Sequence, residues 1–188
     1  MKNIKTALTL TLLVTGLNLA AQEKVHHEEY GNTLNLGVGL GYYGYVGHTT
    51  PVIHADYEIA VSRYFTLAPF LAYYSYTDYN NWGDPQNPYR DYQYRETVIP
   101  MGVKASYYFD NLVGAAPSWD FYLAGSLGFA LISTTWPDGY GGSTILKSGP
   151  SPLFLALHIG TEYHMTKKAG LFLDLSTGVS TFGLAVHF

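Results

Sequence analysis

Apolar and polar residues alternate one by one through most of this chain. Over 152–165, Leu153, Leu155, Leu157, Ile159 and Tyr163 share one parity, and Ala156, His158, Gly160, Glu162 and His164 share the other. Over 119–135, Phe121, Leu123, Leu127, Phe129 and Leu131 oppose Asp120, Tyr122, Ala124, Ser126 and Ala130. A period of two places each set on its own face of a strand. The pattern predicts strands over 34–43, 51–61, 64–76, 92–109, 119–135, 152–165, 169–176 and 178–188. No helical period persists, so the expected fold is all-β and a single domain. The connections "SR", "DNLVGAAPS" and "TKK" are compact, whereas "TDYNNWGDPQNPYRD" and "PDGYGGSTILKSG" are long and polar. An even number of strands, with tight turns at one end and long loops at the other, predicts an eight-stranded antiparallel up-and-down barrel.

Alternation does not say which face points outward. A soluble lipocalin-like barrel would hold its apolar side chains inside. Two features favour the opposite. The polar parity is rich in glycine, alanine and serine, as a narrow interior requires. Aromatic residues gather near strand ends: Tyr42, Tyr43, Tyr45, Tyr73, Tyr74, Tyr76, Tyr92, Tyr94 and Trp136 at one, and Tyr64, Phe65, Tyr107, Tyr108, Phe109, Trp119, Phe121 and Tyr163 at the other. Such belts belong at the two interfaces of a membrane. The expected barrel is therefore transmembrane, with outer-membrane lipid against its apolar face.

Composition agrees. Charged residues make up 13% of the chain, against roughly 25% in ordinary soluble domains, and there are 18 tyrosines and 20 glycines. Residues 1–21 read as a secretory signal: Lys2 and Lys5, an apolar run from Ala7 to Leu17, then Ala20 and Ala21. Residues 22–33 read as a flexible periplasmic stub and 34–188 as the barrel. Removing the signal leaves 8 basic residues against 14 acidic ones, a net charge of −6, which excludes a nucleic-acid partner. With no cysteine there is neither a disulfide nor a thiolate metal site.

The final stretch "TFGLAVHF" carries Phe182, Leu184, Val186 and Phe188 at every second position. It resembles the carboxy-terminal signature of outer-membrane barrels. The segment Thr97 to Phe109, "TVIPMGVKASYYF", resembles the IP-x-G-[VL]-K-x-x-Y-[YF] strand of the small outer membrane protein β-barrel domain (porin-family) sequences, and the overall size matches OmpA/OmpX-type eight-stranded barrels. The resemblance implies an integral protein of the bacterial outer membrane, with Phe188 and its apolar set read by the barrel assembly machinery. It does not imply an activity.

Candidate chemistry is sparse. Gly39-Leu40-Gly41-Tyr42-Tyr43-Gly44 matches the dinucleotide fingerprint G-x-G-x-x-G, but the strand–turn–helix context is missing. Gly37, Gly39 and Gly41 are better read as lumen positions without room for side chains. His26-His27-Glu28-Glu29 could bind a cation but reads as a solvated tail in the stub, and the pair His54/Asp56 lacks a third and fourth ligand of defined geometry, so no metal and no cofactor is expected. "AGSLG" around Ser126 only echoes the nucleophile elbow, and the H-x-S-type motif of the lipid A deacylases is absent. No catalytic residue is expected. Parity sends His54, Asp56, Glu58, Glu96, Lys104, Asp120, His158, Glu162 and Asp174 into the lumen as a polar network, with Lys104 paired to Glu58 or Glu162. Tyr122, Phe154 and Phe172 add bulk there. Tyr79, Trp82, Tyr89, Tyr92 and Tyr140 would form an extracellular loop surface for a protein or glycan. The expected function is a monomeric, non-enzymatic, plugged outer-membrane barrel with two long extracellular loops. A narrow cation-preferring pore is the alternative, and a lipid A-modifying enzyme comes third.

Overall fold

A computed structural model describes residues 31–41, 50–84, 87–137 and 152–188, with side chains described outside 78–92 and 111. The expected signal segment, nearly all of the stub with His26–Glu29, the aromatics Tyr42, Tyr43 and Tyr45, and Tyr140 lie outside the described residues. Tyr79, Trp82, Tyr89 and Tyr92 are described in their backbone alone.

The strands are β1 (Thr33–Gly41), β2 (Thr50–Ser62), β3 (Phe65–Asp84), β4 (Asn87–Tyr108), β5 (Trp119–Thr135), β6 (Leu153–Thr166), β7 (Ala169–Ser176) and β8 (Val179–His187). Each pairs antiparallel with its neighbour in sequence, and β1 pairs with β8, closing the barrel. The closing ladder runs from Thr33↔His187 to Gly41↔Val179. One four-residue helix, α1 (Asp110–Val113), fills the β4–β5 connection and ends on Gly114, whose φ of 64° suits a residue without Cβ.

Burial follows the sequence parity. Leu155 and Leu157 are 65% and 69% exposed while Ala156 between them is 1% exposed. Water would not tolerate the resulting continuous band of leucine, isoleucine, valine and phenylalanine, and lipid does. The fold is a transmembrane β-barrel whose packed core is its lumen. Small residues make that lumen possible. A Cβ on Gly37 would run into the Phe172 ring, one on Gly41 would press on Tyr74 and one on Gly39 would strike the Ser180 carbonyl, so these glycines make room for aromatic rings and for the neighbouring backbone.

Three expectations change. The polar segment between the third and fourth strands is not a loop. β3 and β4 continue through Tyr76↔Glu96 to Asp84↔Asn87, past Val52↔Tyr74, where β2 stops pairing with β3, and past Arg95↔Thr135, where β5 stops pairing with β4. The pair therefore projects as a two-stranded ribbon. The aromatic belts also change, because Tyr74, Tyr76, Tyr94 and Tyr108 are buried in the lumen. At the tight-turn end a girdle remains, with Tyr57 against Phe188, Phe65 against Tyr107, and Trp119 against both Phe121 and Tyr163. β1 starts at Thr33, one residue inside the expected stub.

Candidate functional site in the barrel lumen

Mid-barrel, the chemistry centres on Lys104 of β4. Its Nζ stands 3.3 Å from Asp56 Oδ2, 3.4 Å from Glu58 Oε1 and 3.7 Å from Asp174 Oδ2, and 5.5 Å from the centre of the Tyr122 ring. Of the two partners expected, Glu58 is one. Glu162 is not, and Asp56 and Asp174 take its place. Alternate positions of β2 supply Asp56 and Glu58, while β7 delivers Asp174 across the lumen.

One ammonium facing three carboxylates needs help, and neutral donors give it. Asn35 Nδ2 donates to Asp56 Oδ1 (3.1 Å) and to Glu58 Oε1 (3.0 Å). The hydroxyls of Thr66 (3.0 Å) and Tyr108 (2.6 Å) donate to Glu58 Oε2. Tyr122 donates to Asp174 Oδ2 at 2.9 Å, its ring lying over Gly160, where a Cβ would collide with it. Hydrogen bonds to charged acceptors contribute about 1.5–3 kcal/mol each. Burying these groups without such donors would cost more than the ion pairs return.

Beside this cluster lies an arrangement that the strand pattern alone did not reveal. Ser126 Oγ is 2.8 Å from His158 Nε2, and His158 Nδ1 is 2.7 Å from Asp174 Oδ1. A carboxylate only accepts, so Nδ1 carries the proton and Nε2 accepts from the serine hydroxyl. The order hydroxyl, imidazole, carboxylate is that of a nucleophilic triad. Its setting is not. The cavity lined by Ser126, His158, Asp174, Lys104, His54 and Phe154 measures about 10 Å³, roughly one water-sized sphere. Phe70 and Phe154, with ring centres 5.4 Å apart, close it further. His54 stacks on Phe70, with Nδ1 3.5 Å from Asp56 Oδ2.

Toward the ribbon end, Tyr76 donates its hydroxyl hydrogen to Glu96 Oε2, and Tyr94 packs against Trp136 with ring centres 5.0 Å apart and planes tilted by 34°. Toward the tight-turn end a second polar group forms from Asp120, Glu162, His164, His187 and Thr33. His164 Nε2 is 2.7 Å from Asp120 Oδ2, and His187 Nε2 is 2.9 Å from Glu162 Oε1. Among the described residues, Glu162, His164 and His187 form the set that could hold a metal ion. His187 is one residue from the terminal apolar set. Phe182, Leu184 and Phe188 of that set are exposed, and Val186 is half-buried.

No protein-family model matches the chain, and no curated protein sequence does. The resemblance carried by Thr97–Phe109 and the final strand thus has no family model behind it. Similar solved structures include a de novo designed transmembrane β-barrel, at 13% identity and TM-score 0.49, covering 86% of this chain and 99% of the design. Ail, the attachment invasion locus protein of Yersinia pestis, solved with the heparin analogue sucrose octasulfate, is 8% identical with TM-score 0.46, over 84% of this chain and 96% of Ail. Neisserial surface protein A is 18% identical with TM-score 0.47, over 86% and 98%. These are likenesses of barrel shape at low identity, and nothing about activity follows from them.

Proposed function

We propose that this protein is a non-enzymatic integral barrel of a bacterial outer membrane, closed to ions and acting through what it displays at the cell surface. The observation that carries the reading is the filled lumen: Lys104, its three carboxylates and the Phe70–Phe154 pair leave a cavity of about 10 Å³. An eight-stranded interior is just wide enough for side chains to fill. The tight-turn end would face the periplasm and the β3–β4 ribbon the outside. That ribbon carries Tyr79, Trp82, Tyr89 and Tyr92, residue types suited to a protein or glycan ligand, and Tyr140 belongs to the second long connection. Phe182, Leu184, Val186 and Phe188 would be the signal read by the assembly machinery. Purified barrel in planar bilayers tests the closed lumen. We expect a silent bilayer, and steady cation-selective conductance would make the protein a pore instead.

One observation favours a hydrolytic second reading, the chain of contacts Ser126–His158–Asp174. It ranks below the first because no acyl group fits a water-sized space. Labelling of Ser126 by a fluorophosphonate, abolished in Ser126→Ala, would reverse that order.

A further inference from the structure

Oε1 of Glu162, Nδ1 of His164 and Nε2 of His187 lie within 4.8 Å of one another, and all three side chains are buried. Oε1 stands 3.4 Å from Nδ1 and 2.9 Å from Nε2. Two ligand atoms each about 2.1 Å from a common metal, at octahedral or tetrahedral angles, stand about 3.0–3.4 Å apart. These two spacings are close to those of coordination edges, and the third pair, His164 Nδ1 and His187 Nε2, lies within 4.8 Å.

The surroundings aim these atoms. His164 Nε2 meets Asp120 Oδ2 at 2.7 Å; because a carboxylate only accepts, that nitrogen holds the proton and Nδ1 keeps its lone pair in the neutral ring. His187 Nδ1 meets the Thr33 hydroxyl at 2.9 Å, which leaves Nε2 to point inward. An outer hydrogen bond that fixes the tautomer and orientation of each imidazole is the usual companion of a metal-binding histidine. Across the β6–β7 ladder sits Gly170, where a Cβ would collide with Glu162 Oε1, so β7 leaves room for the carboxylate.

We propose that Glu162, His164 and His187 bind one divalent transition-metal ion of the zinc class. Two imidazoles and one carboxylate suit zinc, nickel, copper or iron, whereas calcium and magnesium want oxygen ligands. A fourth position would be left for water, reached through the barrel mouth beside Asp120, whose side chain is 26% exposed. The ion would tie β6 to β8 across β7. The 2.9 Å approach of His187 Nε2 to Glu162 Oε1 is a close contact of a ring nitrogen with a carboxylate that lacks hydrogen-bond geometry. The 3.4 Å contact sets a carboxylate oxygen against a ring nitrogen that holds a lone pair when His164 is neutral. A metal ion between them would satisfy both atoms, and because metal ligands must be deprotonated, acid should displace the ion.

The test is Co²⁺ titration of the full barrel chain refolded in detergent, read by visible absorption and followed by Zn²⁺ competition. We expect saturable binding of one ion, displaced by zinc and released on acidification. Glu162→Gln, which keeps the shape of the side chain, and His187→Gln should each weaken binding about ten-fold or more. Heat-dependent gel mobility verifies that each variant is folded. His26→Ala/His27→Ala, which removes the histidines of the amino-terminal segment, should bind as the parent does. Absence of saturable binding, cobalt affinity unchanged in a folded Glu162→Gln barrel, or a signal that disappears with His26 and His27 would each overturn the site.

Discussion

The lumen holds two polar clusters built from similar acids and different cations. Mid-barrel, Asp56, Glu58 and Asp174 share the ammonium of Lys104, and phenol, amide and hydroxyl groups surround them. At the tight-turn end, Asp120 and Glu162 face the imidazoles of His164 and His187. The first cluster has an ammonium from its own chain at its centre. The second has two imidazoles in place of an ammonium. The middle of the barrel thus draws its counter-charge and its neutral donors from the chain itself, while the proposed site at the end would take a bound ion.

The largest expected effect comes from removing the built-in cation. Lys104→Met should destabilise the barrel by about 3–5 kcal/mol, because it leaves buried carboxylates without their partner. Urea unfolding of refolded protein measures this. Adding Asp56→Asn to the variant should restore part of the loss, and additivity of the two substitutions would mean the ion pair contributes nothing. Next comes the same ammonium on the other face. Leu127→Lys, opposite Leu155 and Val103 on the outer surface, should cost about 2–4 kcal/mol in a bilayer. An effect near zero there would mean that this face does not meet lipid. Smaller again is Glu162→Gln in metal-free protein, at about 1–2 kcal/mol, since the amide keeps the shape of the side chain and only close polar contacts with His164 and His187 change. A loss as large as that of Lys104→Met would erase the contrast between the clusters. Ser126→Ala should be the mildest, below about 1 kcal/mol, because a water can occupy the small cavity and reach His158. Thermal melts of the two proteins side by side suffice to see it.

Strand positions and the inward direction of the charged residues were legible because lipid on one side and a narrow lumen on the other enforce strict alternation. Where that constraint stops, so did the signal. The ribbon at 75–84 and 87–94 projects past its neighbouring strands, so its polar, proline- and glycine-containing sequence looks like a loop. Tyr74, Tyr76, Tyr94 and Tyr108 sit near strand ends as belt residues do, but their parity is that of the inward face. Of the partners of Lys104, Glu58 was legible, whereas Asp56 and Asp174 were not. β2, β4 and β7 meet across the lumen only once the sheet has curved shut, and that closure is invisible in any local pattern. For the same reason Ser126, His158 and Asp174 read as unrelated small or polar lumen residues. The set Glu162, His164 and His187 was half legible, since Glu162 and His164 share one strand face, but its third member arrives from the closing strand.

That closing ladder between β1 and β8 also governs the order of events when the protein is made. Thr33 and His187, bonded side chain to side chain, are 154 residues apart, so β1 waits for its second neighbour until the last strand has been synthesised. Until then the sheet has two open edges, each a row of amide and carbonyl groups that hydrocarbon cannot satisfy. A seven-stranded intermediate therefore has no resting place inside the bilayer. Insertion and closure must be one event, slow because it depends on such distant contacts, and the unfinished chain has to be shielded from other chains in the meantime.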